Sequence, residues 1–235
     1  FTLMAIPFFI LAGNIMSAGG VSSRLVDLAG TFLGRASGGL ALVSTAACTF
    51  FGAISGSAPA TTAAIGSIMI KPMVERGYSR PFAAATVAAS GTIGLLIPPS
   101  ITAVIYGVIA NVSIAKLFMG GVVPGLIMAV ALMGIPLART VKSVALMGVE
   151  YVISKKRGYH GQEPVSMAKM IQALNRAILA LFMPVIILGG IYGGVFTPTE
   201  AAVVAVVDGL IVGRYVYKEL GCKTTVKWLL NSAKS

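Results

Sequence analysis

The sequence predicts an all-α integral membrane protein. Hydrophobic residues make up 57% of the 235 residues and charged residues 11%, and the mean hydropathy is +0.91. A soluble domain has roughly 45–50% apolar and 25% charged residues. Glycine, proline and hydroxyl residues interrupt the apolar sequence at 52–62 and at 90–100. Irregular backbone at membrane depth occurs only where protein or a wet cavity satisfies it, so both interruptions are candidate binding sites.

The first interruption separates two short apolar arms, Leu40–Ile54 and Thr62–Met73. Each arm has about 12–15 residues, whereas a membrane-spanning helix needs roughly 20. Neither arm can therefore cross the membrane alone. We predict a re-entrant helical hairpin that enters the membrane, turns at Ser55–Thr62 and returns to the same side.

The second interruption lies inside the apolar stretch Phe82–Ile109, which is otherwise long enough to cross. Pro98 and Pro99 lack backbone N–H groups, and Gly91 and Gly94 weaken a helix. The hydrogen-bond ladder must open here, which predicts a broken transmembrane helix. Backbone carbonyls freed at the break and facing the hairpin tip would suit a sodium ion.

The other elements follow from their apolar patterns. Phe1–Ser17 is predicted to be part of a membrane helix, and Ser22–Phe32 an amphipathic interfacial arm. Leu117–Ala138 has the length of a full span. The remaining predictions are a surface helix at Val141–Ile153, a loop at Ser154–Pro164, an amphipathic helix at Ser166–Ala177, an apolar segment at Ile178–Ile191 and a basic amphipathic end at Lys218–Ser235.

The segment Thr197–Glu200 predicts the start of the last span. Thr197 suits the N-cap, Pro198 the first helical position, and Glu200 stands three residues after the cap. This is the pattern of a capping box with proline at its preferred position. The capping interpretation explains Glu200 better than a role as intramembrane proton carrier.

The net charge of +11 indicates membrane topology rather than nucleic-acid binding, because the basic residues cluster in short loops. If the hairpin opens to the cytoplasm, loops 18–39, 71–80, 139–176 and 214–235 all lie inside. Only Lys116 of the 18 lysine and arginine residues then lies outside. The positive-inside rule therefore predicts cytoplasmic basic loops.

Metal and disulfide chemistry have little support in the sequence. Cys48 and Cys222 stand in different environments and are predicted to be free thiols. The one histidine, His160, falls in a charged loop, and no zinc-binding spacing is present. Because Phe1 begins inside an apolar run, we expect the sequence to be a fragment of a longer protein.

Four motifs together resemble the large membrane subunit of tripartite ATP-independent periplasmic (TRAP) transporters, over nearly the whole chain. They occupy Phe8–Gly13, Gly52–Ser57, Thr92–Ser100 and Gly189–Ala201. The resemblance implies an elevator-type secondary transporter of two inverted repeats, each with a re-entrant hairpin and a broken helix. It also implies sodium-coupled uptake of an organic acid, such as a C4-dicarboxylate, keto acid or sugar acid, with no other cofactor and no enzymatic activity.

The resemblance further implies two protein partners, a small membrane subunit and a periplasmic substrate-binding protein, and a location in the bacterial inner membrane. The chain would cover most of the first repeat and the opening spans of the second, so alone it should not transport. The predicted units are a scaffold helix and interfacial arm (1–39), half of a transport domain (40–138), a cytoplasmic connection (139–176), two scaffold spans of the second repeat (177–217) and a basic segment (218–235). The transport-domain half comprises the hairpin at 40–74, the broken helix at 82–110 and the span at 117–138.

The candidate site residues come from the two interruptions. The predicted sodium ligands are hydroxyl or carbonyl oxygens of Ser55, Ser57, Gly94, Ile97 and Pro99, and the predicted substrate contacts are Ser57, Thr61, Thr62 and Ser100. The pairing of the broken-helix carbonyls with Ser55 around one ion is implied by the family. Close helix packing through small residues, or a plain proline kink, would explain the same residues without a ligand. Asp208 could face the small subunit, a lipid-shielded cavity or a partner cation.

Three other functions compete with this one. An intramembrane hydrolase could use Ser55 as nucleophile, but it would need a base, and His160 is in a predicted cytoplasmic loop. A non-transporting membrane scaffold would lack a second short-armed hairpin in the full-length sequence. Another inverted-repeat transporter of ions or organic anions is the alternative within transport proteins.

Overall fold

The structure, a computed structural model, describes residues 2–34, 38–154 and 167–220. Regular structure in these ranges is helical. The α-helices are α1 (Ala5–Ala18), α2 (Val21–Leu33), α3 (Gly39–Ser55), α4 (Ala58–Glu75), α5 (Arg80–Gly91), α6 (Ile101–Ile109), α7 (Ile114–Ser154), α8 (Met167–Tyr192) and α9 (Pro198–Ile211). Short 3₁₀ turns at Thr2–Met4 and Thr92–Leu95 and a π-helical turn at Val212–Val216 complete them.

Within the described residues, two helical segments are long and apolar enough to cross a membrane, Ile114–Gly134 and Ile171–Tyr192. A third would be α1 and α2 taken together, which are bent by 66° relative to each other. Large apolar side chains on these helices are exposed, among them Val130 at 71% and Val185 at 63%. This agrees with the predicted all-α membrane protein, since such surfaces suit lipid.

The turn of the hairpin is much shorter than predicted. Only Gly56 and Ser57 separate α3 from α4, so most of the expected turn Ser55–Thr62 is helical. Gly56 has φ +62°, the left-handed conformation in which glycine commonly ends a helix. Pro59 lies in the first turn of α4, where its missing N–H removes no helical bond.

The broken helix is present, with the break at the predicted place. Helix α5 ends at Gly91, the 3₁₀ turn follows, and α6 begins only after Ser100. Proline at 98 and 99 cannot donate to a helical ladder. Ser100 caps α6 by accepting a hydrogen bond from the amide of Ala103 at 3.3 Å.

Beyond the break, the structure differs from the predicted boundaries. Helix α7 continues past the expected end of the span at Ala138 to Ser154 and includes the segment predicted as a separate surface helix. No glycine or proline lies between 137 and 147 to stop it. Likewise, α8 joins the predicted amphipathic helix and the apolar segment after it. The predicted loop at Ser154–Pro164, apart from Ser154 itself, and the basic end after Leu220 lie outside the described residues.

Helices α1 and α9 run side by side in the same direction. A Cβ added to Gly209 would lie 3.0 Å from Met16 Cε, and one added to Gly19 would lie 3.1 Å from Gly213 Cα. The carboxyl ends of both helices therefore meet at one end of the molecule. One hydrophobic core, which includes Phe9 of α1 and Phe51 of α3, joins these helices to the hairpin.

The capping box at the start of α9 is confirmed. The amide of Glu200 donates to Thr197 Oγ1 at 3.4 Å, and the amide of Thr197 donates to Glu200 Oε2 at 2.8 Å. Glu200 is therefore held by the end of the helix, as the capping interpretation requires. Asp208 is half-buried further along the same helix.

Candidate functional site

The hairpin tip is closed by hydroxyl groups. Ser55 Oγ and Thr61 Oγ1 lie 2.9 Å apart, and both side chains are buried. The carbonyl of Ser57 accepts the amide of Thr61 at 3.0 Å and the hydroxyl of Ser55 at 3.4 Å. The last residue of α3, the turn and the first turn of α4 thus place three uncharged oxygens close together.

The broken helix meets this tip through backbone contacts. The amide of Ile101 donates to the carbonyl of Gly56 at 3.1 Å. This hydrogen bond joins the first residue of α6 to the residue that follows α3. A Cβ on Gly56 would lie 2.5 Å from the carbonyl oxygen of Pro99, and one on Gly52 would lie 2.8 Å from Gly94 Cα. Glycine is required at 52 and 56 because the two interrupted segments touch there.

Four helix ends therefore gather at one place. The carboxyl end of α3 faces the amino end of α6, and the amino end of α4 lies beside the carboxyl end of α5. A Cβ on Gly91 would meet Thr62 Oγ1 and would lie 3.3 Å from the carbonyl of Ala58. Helix amino ends carry partial positive charge and carboxyl ends partial negative charge, so this arrangement offers positions for both an anion and a cation.

Three of the predicted sodium ligands lie in this assembly, and Pro99 borders it. Ser55 and Ser57 form the tip, and a Cβ on Gly94 would lie 3.2 Å from Thr61 Oγ1 and 3.5 Å from the carbonyl of Ser57. Pro99 presents its carbonyl toward Gly56. The structure thus brings the predicted ligands Ser55, Ser57 and Gly94 into one cluster.

Ile97 is placed differently. A Cβ on Gly125 of α7 would lie 3.2 Å from the Ile97 amide nitrogen, and Ile97 packs in a small cluster with Ile93 and Ala129. Its amide donates to the carbonyl of Ile93 at 3.0 Å. The contacts of its side chain are therefore with the span α7, and any role at the ion site falls to its backbone.

Of the four predicted substrate contacts, two are partly buried and two are buried. Ser57 is partly buried and caps α4, and Thr62 is partly buried against Gly91. Thr61 is fully buried beside Ser55. Ser100 is buried and donates to the carbonyl of Leu95 at 2.6 Å, which ties its hydroxyl to the break. Ser57 and Thr62 are thus the more accessible pair.

Sequence reasoning missed several glycines and the neighbour of the tip in α1. A Cβ on Gly13 would lie 3.1 Å from Ser55 Cβ, so α1 passes directly against the end of α3. Gly52 and Gly56 stand four residues apart, a spacing that favours close backbone approach in membranes and could have marked them as contact residues. Nothing in the sequence marks Gly13 as the partner of Ser55, because that contact depends on the tertiary fold.

The chemistry of the tip suits a monovalent cation. None of the residues that form it carries a formal charge, and its oxygens belong to hydroxyl and carbonyl groups. Divalent ions such as calcium usually bind with carboxylate ligands. Uncharged oxygens and helix carboxyl ends that replace a hydration shell are the features of alkali-cation sites in membranes.

The sequence contains two cysteines and one histidine. Cys48 is a buried free thiol in α3, in agreement with the prediction. Cys222 and His160 lie outside the described residues.

The chain matches known proteins over its whole length. The family model described as tripartite ATP-independent periplasmic transporter, DctM component, matches residues 1–235. The isethionate TRAP transporter permease protein DctMQ of Oleidesulfovibrio alaskensis is 52% identical over 223 residues, which is 94% of this chain and 33% of that protein.

Two other relatives carry different substrate names. The C4-dicarboxylate TRAP transporter large permease protein DctM of Vibrio cholerae is 45% identical over 94% of this chain and 46% of its own length. The sialic acid TRAP transporter permease protein SiaT of Haemophilus influenzae is 40% identical over 99% of this chain and 35% of its own length. The chain thus spans about a third to a half of the length of these relatives.

Proposed function

The chain belongs to the family of DctM components of tripartite ATP-independent periplasmic transporters, and from this premise we propose that it forms part of the membrane subunit of a sodium-coupled importer of organic acids. Since it spans only a third to a half of its relatives, transport is a property of the complete protein. The 235 residues of this chain would supply one ion site and one side of the substrate path.

The meeting of the hairpin tip with the broken helix carries this proposal. The Ser55 hydroxyl oxygen lies 2.9 Å from Thr61 Oγ1 and 3.4 Å from the carbonyl oxygen of Ser57, beside the opened backbone at Gly94. A sodium ion at this place would replace the Ser55–Thr61 hydrogen bond by two ion contacts. Binding of the ion would also hold the hairpin tip and the broken helix together. The conformation of the site would therefore depend on whether the ion is bound.

The substrate would lie on the accessible side of the same assembly. Ser57 and Thr62 are partly exposed in the first turns of α4, and the amino end of a helix favours a carboxylate. We therefore place the acidic group of the substrate, a carboxylate or a sulfonate, at this helix end. The relatives named for isethionate, C4-dicarboxylates and sialic acid support an acidic substrate class without choosing within it.

Movement would follow the elevator scheme, with the hairpin and broken helix moving against scaffold helices α1, α8 and α9. The contact of Gly13 with Ser55 lies on that boundary and joins small residues. Small residues allow backbones to slide with little interlocking of side chains. A periplasmic binding protein would deliver the substrate and a small membrane subunit would pack on the scaffold, and the function needs no chemical step.

The bacterial inner membrane is the proposed location, with the hairpin opening and the basic loops in the cytoplasm. The parallel course of α1 and α9 supports this orientation, because it puts the starts of loops 18–39 and 214–235 at the same end of the molecule. Loop 214–235 holds five lysine and arginine residues, and loop 18–39 holds two, Arg24 and Arg35. A common cytoplasmic side satisfies the positive-inside rule for both.

The test is uptake into proteoliposomes that contain the full-length subunit with its small membrane subunit, supplied with the binding protein. An inward sodium gradient should drive accumulation of a labelled organic acid, and a potassium gradient of equal size should not. Uptake that is indifferent to sodium, or that follows a proton gradient alone, would contradict sodium coupling.

A further inference from the structure

A charged cavity lies away from the hairpin, where α2, α8 and the segment after α9 meet. Its volume is about 440 Å³, and its charged lining residues are Arg24, Asp27, Arg176 and Glu219. A second cavity of about 220 Å³ adjoins it and shares three of these four residues. The two together form one open, polar depression on the surface.

The position of Arg24 is fixed by several contacts. Its guanidinium donates to the Glu219 carboxylate at 2.8 Å and to the carbonyl of Gly20 at 2.9 Å, and it stacks 3.7 Å from the centre of the Tyr217 ring. The hydroxyl of Tyr217 donates to the carbonyl of Arg176 at 2.9 Å. Three separate segments of the chain are thus joined around the cavity, so its wall is built by the fold.

The lining carries both signs of charge in equal number, with two guanidinium groups and two carboxylates. A simple anion would be repelled by the carboxylates, and a simple cation by the guanidinium groups. A ligand with a phosphate at one end and a primary ammonium at the other can match both. Guanidinium groups bind phosphate oxygens in a fork, and an ammonium group donates up to three hydrogen bonds to carboxylates.

The cavity also borders a surface suited to acyl chains. Leu179 lines it, and Ile171 and Leu174 are exposed on the same helix. All three belong to Ile171–Tyr192, one of the segments long enough to cross a membrane. Tyr217 on its wall is a residue type enriched at the membrane–water interface. A headgroup in the cavity would therefore have its tails beside the apolar face of α8.

We propose that this cavity binds the headgroup of a zwitterionic phospholipid with a primary ammonium group. Arg24 and Glu219 pair with each other, so the phosphate would lie against Arg176 and the ammonium against Asp27, with the acyl chains along α8. Basic pockets between membrane helices bind anionic lipid headgroups, and the carboxylates added here favour a headgroup that also carries an ammonium group. The inference goes beyond transport, and its test measures lipid binding without any uptake assay.

The experiment titrates the delipidated full-length protein with phosphatidylethanolamine or phosphatidylglycerol of identical acyl chains and counts bound lipid by native mass spectrometry. Phosphatidylethanolamine should bind roughly tenfold more tightly, the effect of one charge-assisted hydrogen bond. Asp27→Asn should abolish that preference and leave phosphatidylglycerol binding unchanged. Arg176→Gln should weaken both lipids by a similar factor.

Matched controls are Glu75→Gln and Arg80→Gln, which remove one charge of each sign near another cavity. Neither should change the lipid preference. Soluble phosphoethanolamine should compete with the bound lipid, and inorganic phosphate should compete less well, because it lacks the ammonium group. The competition experiment and the comparison of the two lipids use the unaltered protein. They therefore test the proposed headgroup site even where a variant fails to fold.

Equal affinity for the two lipids would overturn the proposal, as would a preference that survives Asp27→Asn or is lost equally in the controls. Failure of phosphoethanolamine to compete would show that acyl chains alone carry the binding. Absence of any bound lipid would overturn the proposal as well.

Discussion

The hydroxyl groups of Ser55 and Thr61 lie 2.9 Å apart and are buried, and they join the last residue of α3 to the first turn of α4. Each hydroxyl satisfies the other where water is excluded. A cation that enters between them would find two oxygens already in place and would need only the hydroxyl hydrogens to turn away. The proposed ion site therefore uses the same hydroxyl pair that closes the hairpin tip.

Ser55→Ala should raise the sodium concentration for half-maximal uptake by on the order of tenfold, with the protein level unchanged. The substitution removes one oxygen with little change of volume and leaves Thr61 without its partner, a loss of roughly 1–3 kcal/mol. The measurement is sodium-dependent uptake in proteoliposomes of the complete transporter. Ser67→Ala is the matched control, because the Ser67 hydroxyl bonds within α4 to the carbonyl of Ala64.

Thr61→Val extends this test, since it removes the other hydroxyl of the pair and keeps the shape of the side chain. If both oxygens bind one ion, the effects of the two substitutions should not add in the double variant. Sodium dependence that is untouched by either substitution would mean that the hydroxyl pair serves only to close the turn.

Gly94→Val should abolish uptake. The backbones of Gly94 and Gly52 are so close that a Cβ on Gly94 would lie 3.2 Å from Gly52 Cα and 3.2 Å from Thr61 Oγ1. A branched side chain would push the broken helix off the hairpin. Gly120→Val is the control, because a Cβ there meets nothing within 4 Å. Normal uptake by the Gly94 variant would show that the contact does not shape the site.

The hairpin and the broken helix could be predicted because their signals are local. The small and hydroxyl residues at Gly52–Thr62 and the two prolines at 98 and 99 limit what the chain can do in a membrane, although the arms, at 17 and 18 residues, are longer than predicted. The same local signals misled at the turn. Pro59, Thr61 and Thr62 look like turn residues, but proline and hydroxyl residues are equally at home in the first turn of a helix.

The contacts that build the site could not be predicted, because they join residues far apart in the chain. Gly52 meets Gly94, and Gly13 meets Ser55, through the packing of separate helices. Composition identifies glycines able to make close contacts but does not pair them. The packing of the Ile97 side chain against α7 shows the same limit, and the ligand role of its backbone carbonyl stays a prediction.

Cysteine labelling tests the orientation in the membrane. With Cys48 and Cys222 replaced by serine, Gly158→Cys should react with an impermeant maleimide only from the cytoplasmic side, and Asn111→Cys only from the periplasmic side. Asn111 is exposed in the short connection between α6 and α7, and Gly158 belongs to the basic connection. The proposed orientation puts 17 of the 18 basic residues in loops on the cytoplasmic side, so the reverse labelling pattern would refute both that orientation and the cytoplasmic opening of the hairpin.

Thr197→Ala should loosen the start of α9 without altering sodium affinity. The Thr197 hydroxyl accepts the amide of Glu200, and loss of such a cap costs roughly 0.5–2 kcal/mol. Hydrogen exchange of the Glu200 amide should therefore quicken by roughly 2- to 30-fold, read by mass spectrometry. Thr199→Ala, in the same helical turn but not at the cap, should leave that amide unchanged.

Glu200→Gln keeps an oxygen that can accept the amide of Thr197, so it should preserve both the helix start and sodium-coupled uptake. If Glu200→Gln abolished coupling while exchange stayed slow, Glu200 would be a proton carrier and the capping box a secondary feature.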